Sequence, residues 1–398
     1  MEISVRQGDT LWTYSVMFEI PIGLIIDSNP DLGDELQIGD TVLIPGYEWY
    51  EYEIVAGDTI WQIAKRNNIT VNLLLQSNPN LEVDQLHIGS KIRLPRRIVG
   101  RVINANKNYT YDHLYQDALR LMEVYPMLTV NSIGKSVMGK DILELRLGTG
   151  PSELHYNAAM HANEWITAAS LMTFINDYLL ALTNSGTLNG QSVYPSYKTN
   201  TFSFVPMVNP DGVNLVLNGL PDEEPFRSNV YYINDESTDF QGWKANINGV
   251  DLNKQFPALW EVDAVQGPQE PAPRDYSGTA PLTEPEVIAL ADLIKERNFN
   301  QVVALHTQGE EIYWGFQGLE PPESEMIANR MAQASGYTSV RTVNSTAGYK
   351  DWFIQDWRRP GFTIELGLGV NPLPLDQFND IYEATKAIIL ESMKSVNA

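Results

Sequence analysis

His161 and Glu164, three residues apart in Met160-His161-Ala162-Asn163-Glu164-Trp165, carry the two functional groups that would begin a metal site. They follow the run Leu154-His155-Tyr156-Asn157-Ala158-Ala159, which reads as a buried strand. Where that strand stops, the chain can turn both side chains toward one point in the crevice beyond it, the place where open α/β sheets bind their ligands. Imidazole and carboxylate together suit Zn²⁺, and a catalytic zinc site takes three protein ligands and keeps one position open. A third ligand is therefore required. Of the five histidines, His306 is the best candidate, because it ends a second apolar run, Val302-Val303-Ala304-Leu305, and polar Thr307-Gln308-Gly309 follow. An H-x-x-E string alone reads more readily as the first turn of an ordinary helix; two matched strand ends reverse that preference in favour of the metal. Ligand type favours zinc, although the affinity order of divalent ions would favour copper.

The elements that position these groups belong to a long chain. At 398 residues, two or three domains are expected, and 43 % hydrophobic residues suffice for a sizeable core. The net charge of −23 repels nucleic acid and anionic membranes. With no cysteine, disulfides and thiolate metal sites are excluded. No stretch reads as a membrane span, and the N-terminus shows no basic and apolar leader, so a cytoplasmic location until release or non-standard export is expected.

The first hundred residues are an internal repeat. Gly8-Asp9-Thr10-Leu11-Trp12 recurs as Gly57-Asp58-Thr59-Ile60-Trp61, and Ser28-Asn29-Pro30 recurs as Ser77-Asn78-Pro79. Leu36-Gln37-Ile38-Gly39 with Ile44-Pro45 answers Leu86-His87-Ile88-Gly89 with Leu94-Pro95. In each unit a strand meets Gly-Asp-Thr, whose Asp or Thr can cap the next helix, and Asn-Pro ends a second helix before a strand returns. The pattern resembles the LysM module, a β-α-α-β unit that binds N-acetylglucosamine-containing glycans. The resemblance implies a groove between Asp9, Thr10 and Asn29, Pro30 in the first module (residues 1–47), and between Asp58, Thr59 and Asn78, Pro79 in the second (residues 50–97). These residues have capping and turn duties whether or not a sugar binds. His87 reads as solvent-facing.

A linker at residues 98–107 leads to a region that alternates strand with helix, a multidomain arrangement ending in an α/β domain with a mixed central sheet flanked by helices, over residues 108–398. Apolar spacing at Leu114, Ala118, Leu121, Met122 and Tyr125 predicts an amphipathic helix with His113 on its surface. Strands are expected at 129–132, 141–147, 154–159, 202–208, 301–305 and 362–366. Helices are expected at 165–182, 284–297, 322–335 and 375–393, and Asn209-Pro210-Asp211-Gly212 reads as a turn.

In order, His161-x-x-Glu164-Trp165, Asn209-Pro210-Asp211-Gly212, Gly249-Val250-Asp251-Leu252-Asn253, His306 and Phe362-Thr363-Ile364-Glu365-Leu366 resemble the zinc carboxypeptidase family. The resemblance implies one Zn²⁺ held by His161, Glu164 and His306, Glu365 as general base, and Lys244 where the family places an arginine for the oxyanion. Glu365 also has a reason of its own: a carboxylate ending an apolar strand must face the crevice or be buried at a cost. Where carboxypeptidases grip a terminal carboxylate with arginines, this chain has Asn163 and Lys254, the latter beside Asn253. Lysine is a mobile point charge rather than a fixed fork. In Gly348-Tyr349-Lys350-Asp351, Tyr349 and Lys350 fall at the base of the family's specificity pocket, and Lys350 asks for a substrate side chain bearing a carboxylate.

Glycan-binding modules joined to a zinc peptidase imply a substrate of sugar and peptide. The expectation is a peptidoglycan hydrolase cutting the γ-D-Glu–meso-diaminopimelate bond of stem peptides, an architecture similar to cell-wall endopeptidases of sporulating bacilli, acting at the wall or spore. Two alternatives stay open: a carboxypeptidase trimming C-terminal residues, and a non-catalytic wall or spore-coat binding protein.

Overall fold

The computed structural model describes residues 1–33, 35–82, 86–342 and 344–394, so the last four residues of the expected catalytic span lie outside it. The chain forms two compact units, one of Met1–Val102, Leu119–Thr129 and Asn176–Tyr194, the other of Ile103–Ala118, Val130–Ile175 and Pro195–Ala398. Compactness therefore does not follow a single cut at the expected linker.

The first unit opens with the two repeats. In the first, strand Glu2–Ser4 pairs antiparallel with Thr41–Leu43 around helices Leu11–Phe18 and Ile22–Asp27. In the second, Tyr47–Glu53 pairs antiparallel with Lys91–Arg97 around helices Ile60–Arg66 and Val71–Ser77. Thr10 and Thr59 are the N-caps, their hydroxyls accepting the backbone N–H of Thr13 (3.1 Å) and Gln62 (3.2 Å). The repeats join through Gln76, whose amide reaches Asp9 (3.1 Å) and Tyr14 (3.2 Å). Within the same unit Arg101 forms a fork on Asp177, both contacts 2.6 Å, and Gly46, at φ 71°, lies so close to Thr183 that a Cβ would stand 2.7 Å from it.

The second unit is built on an eight-stranded mixed sheet. Its strands are β1 Thr129–Lys135, β2 Asp141–Leu147, β3 Ser152–Ala158, β4 Asn200–Val205, β5 Gln301–His306, β6 Glu311–Trp314, β7 Thr338–Arg341 and β8 Gly361–Glu365. They lie in the order β7-β6-β8-β5-β3-β4-β2-β1. At the centre β4, β3, β5 and β8 run parallel, and every residue of β4 and β5 is buried, as strands covered on both faces must be. From β3 the chain turns to β4 on one side, whereas β5 returns to the other. The carboxyl ends of β3 and β5 therefore flank a topological switch point, where a crevice opens without any special loop.

Helices follow as α1 Tyr111–Val124, α2 Ile166–Thr183, α3 Pro210–Asn218, α4 Pro285–Glu296, α5 Glu323–Ser335, α6 Tyr349–Trp357 and α7 Phe378–Ser392. Val287, Leu290, Leu293 and Ile294 of α4 pack with Val205, Val302, Trp352 and Phe353 in one apolar cluster, each such side chain contributing about 1.5–3 kcal/mol by burial. The stretch Ala162–Thr183 is long and apolar enough to cross a membrane, contrary to the sequence reading, but 89 % of its 18-residue apolar window is buried inside the fold, as in the core helix of a globular domain. The expected turn at Asn209 is the start of α3. Asn209 Oδ1 accepts the N–H of Gly212 (3.0 Å), and Pro210 occupies the first helical position, where a missing N–H costs nothing. Short β6 and β7 and helix α6 have no expected counterpart.

Candidate active site

Three strand ends deliver the cluster. Past β3, Ala159 takes a left-handed φ of 47°, and His161 stands at the N-cap position of the one-turn 3₁₀ helix Ala162–Glu164 ahead of α2, its side chain left free of any capping bond. His306 ends β5, one residue beyond the Leu305–Ala158 pairing, and faces Glu365 of β8 in register. His161 Nδ1 lies 2.9 Å from Glu164 Oε1 and 3.0 Å from His306 Nδ1, and His306 Nδ1 lies 2.9 Å from Glu164 Oε2. One ligand atom from each of the three residues falls within 4.8 Å of the others, all three residues being buried.

The donor set fits a metal ion. Two imidazole nitrogens facing each other across 3.0 Å with a carboxylate beside them present converging lone pairs, an arrangement that a shared proton or a cation stabilises. His161 is oriented for the task by Asp251, whose Oδ1 lies 3.2 Å from Nε2 and directs Nδ1 into the cluster. Glu164 is fixed by the N–H of Thr307 (3.3 Å) and the amide of Asn371 (3.4 Å). Burial opposes charge on His161, yet Glu164 and Asp251 together raise its pKa to about 9. Burial likewise opposes ionisation of Glu164, and the two histidines hold its carboxyl down to about 2. Burial, then the charge of Glu164, pushes Glu365 up to about 8.

Lys244 sits beside the cluster, its Nζ 2.8 Å from Asp251 Oδ2 and 3.7 Å from Asp275 Oδ1. Asp251 thus bridges His161 and Lys244. It was legible only as one letter of the Gly249–Asn253 string, and no role was expected of it; Thr307 and Asn371 gave no signal in sequence. Asn253 Oδ1 accepts the N–H of Tyr349 (3.0 Å). Lys254 bonds both oxygens of Asp263 at 3.0 Å.

Tyr349 and Lys350, expected at the base of the specificity pocket, are both enclosed. Tyr349 is fully buried, its ring 5.3 Å from that of Phe256, because the first turn of α6 points into the core. Lys350 donates to Gly315 O (2.8 Å), Thr342 Oγ1 (3.2 Å) and the Asp351 carboxylate, which engages all three of its protons. No N–H remains for a substrate carboxylate.

In the repeats, the side chains expected to meet glycan hold the modules together. Asn29 gives both amide protons to the backbone, to Ile25 O (2.7 Å) and Leu43 O (2.9 Å), and accepts Leu43 N–H (2.7 Å). Asn78 does the same with Leu74, Arg93 O and Arg93 N–H. Asp9 accepts from Arg6 N–H and Tyr14, and Asp58 from Val55 N–H, Tyr52 and Arg66. Pro30 and Pro79 follow these clamps. A groove of about 680 Å³ runs past Asn78, Pro79, Asn80, His87 and Arg93, so His87 faces solvent as expected. Sequence reasoning passed over Trp12 and Trp61, equivalent in the two repeats and 66 % and 60 % exposed, with Ile38 and Ile88 exposed likewise. Their recurrence at matched positions was the signal.

Residues 114–387 match the zinc carboxypeptidase family, Peptidase M14, and residues 3–45 and 52–95 each match the LysM domain. The chain belongs to the zinc carboxypeptidase family. This carboxypeptidase-like chain is 52 % identical over 394 residues to γ-D-glutamyl-L-diamino acid endopeptidase 1 of Lysinibacillus sphaericus, covering 99 % of this chain and 100 % of that protein. It is also 43 % identical over 295 residues to YqgT, an uncharacterized protein of Bacillus subtilis, covering 73 % of this chain and 78 % of YqgT. In fold it resembles bovine thrombin-activatable fibrinolysis inhibitor, with TM-score 0.57, 18 % identity and coverage of 74 % and 98 %. Carboxypeptidase A of Helicoverpa armigera gives 0.56, 18 %, 85 % and 82 %.

Proposed function

We propose that the protein is a zinc-dependent peptidoglycan hydrolase that cuts the γ-D-Glu–meso-diaminopimelate bond of cell-wall stem peptides and is held on its substrate by LysM binding to N-acetylglucosamine-containing glycan. The observation that carries this reading is the His161–Glu164–His306 cluster with Glu365 in register beside His306, in a chain that matches a diamino-acid endopeptidase from end to end.

His161 and His306 through Nδ1, with the carboxylate of Glu164, would hold the ion. Bound zinc supplies Lewis acidity, which polarises a carbonyl and acidifies water. Glu365 takes the proton of the attacking water and passes it to the leaving amine of the diamino acid. Asp251 keeps His161 in the tautomer that frees Nδ1. Lys244, steadied by Asp251, supplies positive charge for the carbonyl oxygen as it becomes an oxyanion. Exposed Trp12 and Trp61 offer the modules apolar faces for sugar rings.

Mass spectrometry after incubation with disaccharide-tripeptide and disaccharide-tetrapeptide muropeptides tests the reading. Release of diaminopimelate from the first and diaminopimelyl-D-alanine from the second is expected. D-Alanine alone would make the protein a carboxypeptidase, and no product would favour a binding protein. Metal analysis should find one zinc per chain, lost in His306→Ala. We further propose that the protein works at the wall or on the spore; fractionation of growing and sporulating cells checks this, and recovery only in the cytosol at every stage overturns it.

A further inference from the structure

Strand β6 runs antiparallel beside β8, and its first residue, Glu311, stands directly opposite Glu365 in register. Opposed residues of neighbouring strands point to the same side of a sheet, so the Glu311 side chain lies on the active-site side with Glu365. Two carboxylates placed in this way repel each other and cost the sheet stability. No protein cation relieves them at Glu311, which is half-buried and pairs with no lysine, arginine or histidine among the described residues.

The Glu311 carboxylate is nonetheless aimed. Tyr313, on the same face of β6, donates its hydroxyl to Glu311 Oε2, and that carboxylate first and burial second push the hydroxyl up to about 12, so it stays a donor. Oε1 receives no bond among the described residues. Next to it the chain has Gly309, whose N–H is fixed on Gly367 O (2.8 Å). A Cβ at Gly309 would stand 3.4 Å from Glu311 Oε2 and 3.7 Å from Glu365 Cβ, so the missing side chain leaves a place open between the two acids. Neighbouring strands are about 4.8 Å apart, a separation that a long substrate side chain spans from an amide held at Glu365.

Resting on the function proposed above, we propose that Glu311 is a specificity-determining residue that takes the free ammonium at the far end of the diamino acid beside the scissile bond. The ammonium donates to Oε1, the oxygen that Tyr313 leaves open, and supplies the positive charge that the Glu311 and Glu365 pair lacks. A side chain without the ammonium leaves the two carboxylates facing each other, and one ending in a carboxylate alone adds a third negative charge.

The test is kcat/KM of the zinc-loaded full chain on γ-D-glutamyl dipeptides of meso-diaminopimelate, L-2-aminopimelate, L-lysine and L-norleucine. The second and fourth lack the distal ammonium of the first and third. The unaltered protein should prefer diaminopimelate to aminopimelate, and lysine to norleucine, by about 10- to 100-fold, the scale of one charge-assisted hydrogen bond. Glu311→Gln, which keeps the shape and the acceptor for Tyr313, should erase both preferences, mainly through KM, without lowering the thermal midpoint, because it also removes a like-charge pair. Glu311→Asp should keep part of each preference. Equal rates within each pair of dipeptides in the unaltered protein, a comparison that needs no variant, would overturn the inference, as would preferences that survive Glu311→Gln. No cleavage of any of the four would instead overturn the function on which it rests.

Discussion

Asn29 and Asn78 sit inside their modules with both amide protons given to the backbone, whereas His161, Glu164 and His306 turn their polar atoms on one another. Both sets were singled out by recurring or spaced motifs. The difference lies in what the backbone around them needs. A module of about 45 residues has a small core, and its turns must be closed by side chains that satisfy loop N–H and C=O groups. The ends of β3, β5 and β8 are already satisfied by the parallel ladder, so the residues there are free to serve chemistry.

The most severe test of that contrast is Glu365→Ala. Hydrolysis of the muropeptides should fall by at least about 10²-fold, on the scale of a positioned general base, with zinc content and thermal midpoint nearly unchanged. A protein that kept its rate would remove Glu365 from the chemistry. Asn78→Ala should behave in the opposite way. It leaves the N–H of Arg93 and two carbonyls without their partner, a cost of about 1–1.5 kcal/mol read by denaturant unfolding because water reaches two of the three groups, while cleavage of soluble tripeptide persists. Should sugar affinity drop with stability untouched, Asn78 is a glycan ligand and the contrast fails. Thr59→Ala, which removes one cap, should cost the module about 1 kcal/mol by the same measurement. Trp61→Ala sharpens the comparison from the other side: binding to insoluble peptidoglycan should weaken severalfold with unfolding unchanged, since the ring is exposed.

A smaller effect concerns Glu286, buried in the second unit, where burial first and the charge of Asp211 further down raise its pKa to about 7. The folded protein then holds a proton that the unfolded chain, at the ordinary 4.5, releases. Stability from this group is full below about pH 4.5 and is lost as pH rises through about 7. Glu286→Gln should flatten the fall in thermal midpoint between pH 5 and about 7.5, and an unchanged slope would assign that fall to the net charge instead.

Much of the architecture was legible because its signals are local. Asp141–Leu147 matches the expected strand, Pro285–Glu296 is one residue shorter than expected at each end, and Glu323–Ser335 starts one residue late. Long apolar periodicity survives any tertiary setting. Leu114, Ala118, Leu121 and Tyr125 are buried as their spacing required, while Met122 stays 38 % exposed at the edge of the apolar stripe. The four-residue strands β6 and β7 were missed because they are too short for an alternating pattern to stand out, and their pairing lies far along the chain.

By itself the sequence determined the two repeats, the family and the residues able to bind a metal, because residue type and spacing specify caps, turns and ligand chemistry locally. Tertiary structure decided which of those groups are free. Asp251 became a partner of His161 only when a loop ninety residues away folded against it. Lys350 and Lys254 are the same amino acid on paper, and packing alone closed one ammonium with three bonds and left the other partly exposed in its pair with Asp263. Hydrogen-bond saturation and burial are properties of neighbours brought together in space, and for these residues the spacing in the chain did not specify them.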